Sequence, residues 1–235
     1  MNVIKHYQFL SKAKIEDSAH DLLMRMQSTP NFPRWPGLAE RAADFLKLGV
    51  VWCSIPLNEG KPVAARIYPT ECPIEINEGI PKLQQDRGFA ESTLAHEIGH
   101  WMLHVNQDEA QGFVKQLELP LDRLTTEQPF LCRITDEQQI YKITNKTQDD
   151  WREWQAQYFA SCLLMPQFKL EEVRKGRDLT NWRHLRAMAD ELGVTPSNLK
   201  HRLKDLGWIY IPQDSKQIYP GKAIPNGQTR LFGRE

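Results

Sequence analysis

Apolar residues return at helical spacing over several stretches of this chain and crowd into short β-type runs between them. Ile15, Ala19, Leu22, Leu23 and Met26 predict a first helix over 14–26, which the proline-rich segment Pro30-Asn31-Phe32-Pro33-Arg34-Trp35-Pro36 ends. A second helix runs from about Leu38 to Leu48, with Gly49 placed as its C′ residue. The runs Val50 to Ile55, Val63 to Tyr68 and Pro73 to Asn77 follow, separated by turns at Asn58-Glu59-Gly60 and Pro69-Thr70, and predict a small meander sheet. Directly after it, Leu94, Ile98, Trp101, Met102 and Val105 form the apolar stripe of a further helix.

Residues 106–148 are polar and weakly periodic, with strands expected at Phe130 to Ile134 and Gln139 to Ile143. Helical spacing returns from Asp150 to Leu164 and stops at Met165-Pro166. Two more helices follow, Asn181 to Leu192 and Pro196 to Leu206, each with a glycine behind it; Thr195 is the N-cap of the second and Pro196 its first helical residue. From Pro212 onward the chain is rich in Pro, Gly, Asn and Gln and is expected to be extended or disordered. Helices gathered around one small sheet predict an α+β fold.

Composition narrows the classes without choosing one. Thirty Lys+Arg balance thirty Asp+Glu in 235 residues, so no net basic charge argues for nucleic acid as the main partner. No apolar run reaches the length of a signal peptide or a membrane span, and a soluble, cytoplasmic protein is expected. Cys53, Cys72, Cys132 and Cys162 are scattered and form no C-x-x-C pair, which makes them thiols in a reducing compartment.

The chemistry lies in Ala95-His96-Glu97-Ile98-Gly99-His100-Trp101. On a helix, residues four apart are neighbours with Cβ atoms about 5–6 Å apart, so two imidazoles can converge on one zinc at roughly 2.0–2.1 Å each. Glu97 stands about 100° round from His96, out of place as a third ligand but placed to act as general base toward a water. All three fall on the side of the helix away from the apolar stripe, so the helix is expected to anchor in a core and show its chemistry to a cleft. The plainer alternative is a surface helix that happens to carry histidines.

A catalytic zinc takes three protein ligands and keeps one position open. His104 lies about 12 Å along the helix axis from His96, too far to join. The longer H-E-x-x-H-x-x-G-x-x-H form is excluded by Leu103 and Asn106. Glu153 is the better third ligand, because Ala156, Gln157, Ala160 and Leu164 share its side of a helix and the two alanines permit close approach. Gln157, one turn on, is placed to hydrogen-bond a ligating imidazole.

Three segments resemble the ImmA/IrrE family of zinc-dependent metallopeptidases: Thr93 to His104 around the two histidines, Glu153 to Pro166, and Leu192-Gly193-Val194-Thr195 with Arg202 to Gly207. The resemblance covers roughly residues 14–210. It implies a zincin-like metallopeptidase core over 1–166, a helical, helix-turn-helix-like subdomain over 167–211 and a tail over 212–235. It also implies His96, His100 and Glu153 as ligands of Zn2+, Glu97 as base, and selective cleavage of a protein substrate, typically a helix-turn-helix repressor of a phage, stress or defence system. Two positions depart from the family: Gln155 stands where a second acid is common, and Gln157 where Asn or Asp is common.

Cys132 is a candidate regulatory fourth ligand, since a thiolate binds zinc well and could fill the open position; the plainer alternative is a small buried residue, as free cysteines commonly are. The oxyanion stabiliser is not named by any motif; His184, His201 and Tyr141 are candidates, while Tyr158 falls on the wrong side of its helix. A rival reading is a DNA-binding regulator with a structural zinc. In it, Arg183, Arg186, Lys200, Arg202 and Lys204 form a basic face around the Leu192-Gly193-Val194-Thr195 turn, against the charges of Asp190, Glu191 and Asp205. Nucleic acid as an activating ligand of the peptidase is a further expectation by analogy.

Overall fold

Capping residues decide where most of the helices begin. In the computed structural model, which describes residues 3–71, 73–110, 112, 129–133, 147–213 and 215–222, Ser11 caps α1 (Lys12–Met26) by accepting the N–H of Lys14. Helix α2 (Leu38–Leu46) has no side-chain cap of its own; the N–H of Ala39 is taken instead by Glu91, from a helix that follows fifty residues later. The left-handed residue that ends α2 is Lys47 (φ 60°), and Leu48 N–H returns to Ala43 O at 2.9 Å. Gly49, expected to be that residue, is instead the first residue of β1, because the chain turns two residues before the glycine.

Strands β1 (Gly49–Cys53), β2 (Val63–Ile67) and β3 (Pro73–Asn77) form where expected, but not as a meander. With β4 (Phe130–Arg133), the order is β1-β3-β2-β4: β1 and β3 are parallel, with Val51 opposite Glu75, and the other pairs are antiparallel. The link from Ser54 to Pro62 carries the chain past the position that β3 later fills. β4 lies on the free side of β2, with Phe130 opposite Ile67 and Cys132 opposite Ala65. The strand expected over Gln139 to Ile143, and with it Tyr141, lies outside the described residues.

Short α3 (Pro81–Gln85) leads into α4 (Arg87–His104), capped by Asp86 on Phe89 N–H. The apolar stripe of α4 faces inward as expected: Leu94, Ile98, Trp101 and Val105 are buried. The opposite side is not open to a cleft, however. His96, Glu97 and His100 are at most 2% exposed, because α5 (Gln148–Leu164) lies along them and makes the most extensive packing that α4 has. A capping box between Thr147 and Asp150 starts α5.

The two helices touch backbone to backbone at Gly99 and Ala156. A Cβ at Gly99 would stand 2.7 Å from Ala156 O and 2.9 Å from its Cα, with no flexible group to yield. Gly99→Ala is therefore expected to destabilise the fold by about 1–3 kcal/mol and to spread α4 from α5. Denaturant unfolding measures the first effect and metal affinity the second; a wild-type midpoint would show that the helices can part without cost.

Helices α6 (Gln167–Val173), α7 (Trp182–Leu192) and α8 (Pro196–Asp205) complete the helical part and share one hydrophobic cluster with α1, α4 and α5. Gly193 (φ 70°) turns the chain between α7 and α8, and Thr195 caps α8 on Asn198 N–H, both as expected. The turn is seated on α4: a Cβ at Gly88 would lie 2.6 Å from the carbonyl carbon of Val194. Beyond α8, β5 (Ile209–Tyr210) pairs with β6 (Tyr219–Pro220), which gives part of the expected tail a regular partner; residues 223–235 lie outside the described residues. Among the described residues no helix is long and apolar enough to cross a membrane.

Candidate metal centre

One helical turn separates His96 from His100, and the approach of α5 brings a carboxylate to both. Glu153 places Oε2 3.1 Å from His96 Nε2 and Oε1 3.2 Å from His100 Nε2, while the two Nε2 atoms are 3.0 Å apart. Three electron-pair donors from two helices thus face a common point, without enough protons to link each pair by a hydrogen bond. Both imidazoles are buried and Glu153 is one-third exposed, so the group opens to solvent on the carboxylate side.

The two histidines are held by different means. His96 Nδ1 donates to Gln157 Oε1 at 3.2 Å, which leaves the lone pair of Nε2 turned toward Glu153 and His100. Among the described residues His100 Nδ1 has no hydrogen-bond partner; its ring is stacked instead on Phe130 of β4, with centroids 4.6 Å apart and planes 15° from parallel. Nothing in the sequence singled out Phe130 beyond its place in an expected strand. Gln157→Ala should weaken metal binding about 10–100-fold, the usual cost of losing an outer hydrogen bond to a ligating imidazole. Competition against a chromophoric chelator measures it, and an unchanged affinity would mean that packing alone orients His96.

Electrostatics follow from burial and from these contacts. Burial, the largest single influence on Glu153, would raise its pKa, but the charge and hydrogen bonds of the two imidazoles outweigh it and hold the carboxyl well below the usual range. Burial likewise lowers the pKa of His96, yet Glu153 and Glu97 more than offset it; at His100 burial prevails and the pKa falls. Glu97 is fully buried, and among the described residues neither of its oxygens has a hydrogen-bond partner. Burial lifts its pKa to about 8, and the backbone N–H of Cys132, which faces it short of a formed hydrogen bond, is the smallest of the opposing effects.

The other residues singled out by sequence sort clearly. Cys132, half-buried on β4, forms a close group with His96 and Glu97, not with His96, His100 and Glu153. Burial, reinforced by Glu97 and Glu153, pushes its thiol well above the ordinary range. His104 donates to Arg152 O at 3.2 Å and takes no part in the ligand group, as the axial distance requires. Gln155 turns away from it and donates to Gln8 O at 3.2 Å, tying α5 to the N-terminal segment. Tyr158 points to Arg202, and His184 accepts the N–H of Asp178 at 2.8 Å; His201 lines a small cleft with Ser92, Gln157, Ser161 and Asn198. Cys53 and Cys162 are free thiols, and Cys72 lies outside the described residues.

The basic face expected on α7 and α8 loses its central member. Arg202 is fully buried, paired with Glu16 and donating to Met165 O at 3.2 Å. In the first turn of α8, where a recognition helix would meet base edges, Asn198 is buried and its Nδ2 donates to Ser92 Oγ of α4, while Pro196 is exposed. The other members of the basic face, Arg183, Arg186 and Lys204, are exposed, and Lys200 is half-buried.

Comparison with known proteins adds an independent line. Residues 131–204 match the family model of the IrrE N-terminal-like domain, a peptidase family. The matched stretch holds Glu153, Gln157, α5 to α7 and all but the last residue of α8, whereas His96, Glu97 and His100 lie upstream of it and are joined to it only by the fold. No curated protein matches the chain.

Proposed function

The chain carries the IrrE N-terminal-like domain of the ImmA/IrrE metallopeptidases, and from that premise we propose that it is a zinc-dependent endopeptidase of zincin-like architecture that makes selective cuts in a protein substrate. His96, His100 and Glu153 would hold the zinc. The observation that carries this reading is their mutual spacing: ligand atoms about 2.0–2.1 Å from a tetrahedral ion lie about 3.3 Å from one another; here the two Nε2 atoms are 3.0 Å apart, and each lies 3.1–3.2 Å from a different oxygen of the Glu153 carboxylate. Two imidazoles and a carboxylate, with one direction left open, are a usual catalytic zinc set. When bound, zinc supplies Lewis acidity toward a peptide carbonyl and toward water.

Glu97 is the general base. Its unpartnered carboxylate takes a proton from the attacking water and returns it to the leaving amine nitrogen. Glu97, whose pKa burial lifts to about 8 in the metal-free site, would be drawn back toward its ionised form by the charge of a cation held on the neighbouring ligands. Gln157 fixes the tautomer of His96, and Phe130 the plane of His100. The helical region 167–211, read as helix-turn-helix-like, braces α4 through Asn198 on Ser92, α5 through Arg202 on Tyr158, and α1 through Arg202 on Glu16. A helix-turn-helix repressor is the substrate class the family suggests.

The test is a cleavage screen. Zinc-loaded protein is incubated with the helix-turn-helix regulators encoded beside its gene, and new N-termini are read by mass spectrometry, with chelator as control. Discrete cuts that vanish on chelation and return with zinc are expected. Failure to take up zinc at all would overturn the reading.

A further inference from the structure

Helices α4, α5 and α8 leave a small cleft between them beside the ligand group. Its floor includes the buried Ser92 of α4, Leu164 of α5 and Asn198 of α8, and its rim the half-buried Gln157, Ser161 and His201. Asn198 Nδ2 donates to Ser92 Oγ and ties α8 to α4, while the short side chains of Ser92 and Ser161 leave the space between the helices unfilled. What remains has room for about one water-sized group.

The cleft lies along the edge by which the ligand group opens to solvent. Glu153, Gln157 and Ser161 follow one another at four-residue steps on α5 and are all half-buried, so they share one accessible edge of the helix. Gln157 belongs to both places: its Oε1 holds His96 Nδ1 at 3.2 Å, and its side chain lines the cleft. At about 1.5 Å per helical residue, Gln157 and Ser161 stand about 6 and 12 Å from Glu153 along the axis. An extended peptide advances about 3.3 Å per residue. We infer that the cleft is a specificity subsite of the peptidase, which takes a short hydroxyl-bearing side chain, serine or threonine, two or three residues from the scissile bond. The inference rests on the zinc reading above and adds a substrate class to it.

Size sets the first limit. A hydroxymethyl group fits the space, whereas a leucine or phenylalanine side chain would have to push apart helices packed on the core, at the cost of overpacking. Polarity sets the second. The Ser161 hydroxyl and the His201 imidazole flank the opening, and Leu164 offers an apolar wall to the methyl group of a threonine. Burial, and after it the positive charges of Lys200 and Lys204, bring the pKa of His201 down to about 4. The ring is therefore neutral at physiological pH, with one nitrogen to donate and one to accept, as a hydroxyl requires, and it gives no counter-charge to an acidic side chain.

Peptide hydroxamates, which chelate zinc, test the subsite without a known substrate. Two series carry the chelating group at the C-terminus or, through a succinyl unit, at the N-terminus of a short glycine peptide, with Ser, Thr, Leu or Phe placed two or three residues away. Acetohydroxamate, which reaches only the metal, is the reference. In one series the Ser and Thr compounds should bind the zinc-loaded full chain about tenfold or more tightly than the Leu and Phe compounds. Ser161→Leu, which fills the cleft, should abolish that preference while zinc content and acetohydroxamate affinity stay at the wild-type values; His201→Ala, which widens it, should bring the Leu compound level with the Ser compound. Equal affinities across both series in wild type, or tighter binding of Leu or Phe, would overturn the subsite and leave the metal site standing. A Ser and Thr preference that survives both variants would place selection elsewhere and likewise overturn it. Absence of zinc uptake, or of acetohydroxamate binding to zinc-loaded protein, would remove the zinc reading itself, and the subsite with it. The wild-type series decides even if a variant folds poorly.

Discussion

Glu97→Gln is expected to cleave peptide bonds about a hundred- to ten-thousand-fold more slowly than wild type while binding metal as well, since a positioned general base contributes on that order. The amide has nearly the carboxylate's shape but cannot accept the water's proton. The side chain is not a structural loss: neither oxygen is engaged in a hydrogen bond, and burial already raises its pKa to about 8. Metal-free Glu97→Gln should thus melt at or above the wild-type temperature at alkaline pH, where the native carboxyl must ionise in a buried setting. The sign is fixed by the shift. Folded-state pKa lies above the unfolded value, so the group's contribution is full below the usual carboxylate range and is lost as pH rises through about 8. Paired measurements of cleavage rate, zinc content and melting against pH check it; retained activity with intact zinc would mean that the base is another residue.

Glu153→Ala should empty the site. It supplies one oxygen to each imidazole, so its removal deletes a ligand and also the group that sets the two rings against each other. Loss of an outer hydrogen bond alone costs about 10–100-fold in affinity, and loss of a ligand must exceed that. Zinc measured by elemental analysis should fall from near one per chain to a small fraction, with His96 and His100 unchanged. Equal zinc in both proteins would mean that the third ligand lies elsewhere and would turn attention to Cys132, which already stands beside His96.

Much of this centre could be read in the chain because its geometry is local. The i, i+4 histidines, the alanines beside Glu153 and the Gln157 contact one turn on all follow from helical periodicity, and α4 and α5 realise them. Thr195 and Gly193 were legible for the same reason, as caps are written in adjacent residues. What depended on distant pairing was not legible. Period-two alternation tells which way strand residues face, not which strand comes next, and the parallel pairing of β1 with β3 left no mark in either. The stack of Phe130 on His100 joins a strand to a helix thirty residues earlier with no spacing rule between them. A charge count on α8 could not foresee that Arg202 would be spent on Glu16 in the interior. The stripe on α4 also suggested one wet side; α5 closed it.

Because the histidines sit on α4 and their third partner on α5, the centre is divided between the first and second halves of the polypeptide. During synthesis, a chain that has emerged only as far as His104 holds two imidazoles and a base but no carboxylate to complete the set. Folding of nascent chains proceeds from the N-terminus as residues leave the ribosome. On the proposed ligand set, hydrolytic competence would not precede the emergence of α5, and fragments truncated before Glu153, from stalled translation or proteolysis, would be inert.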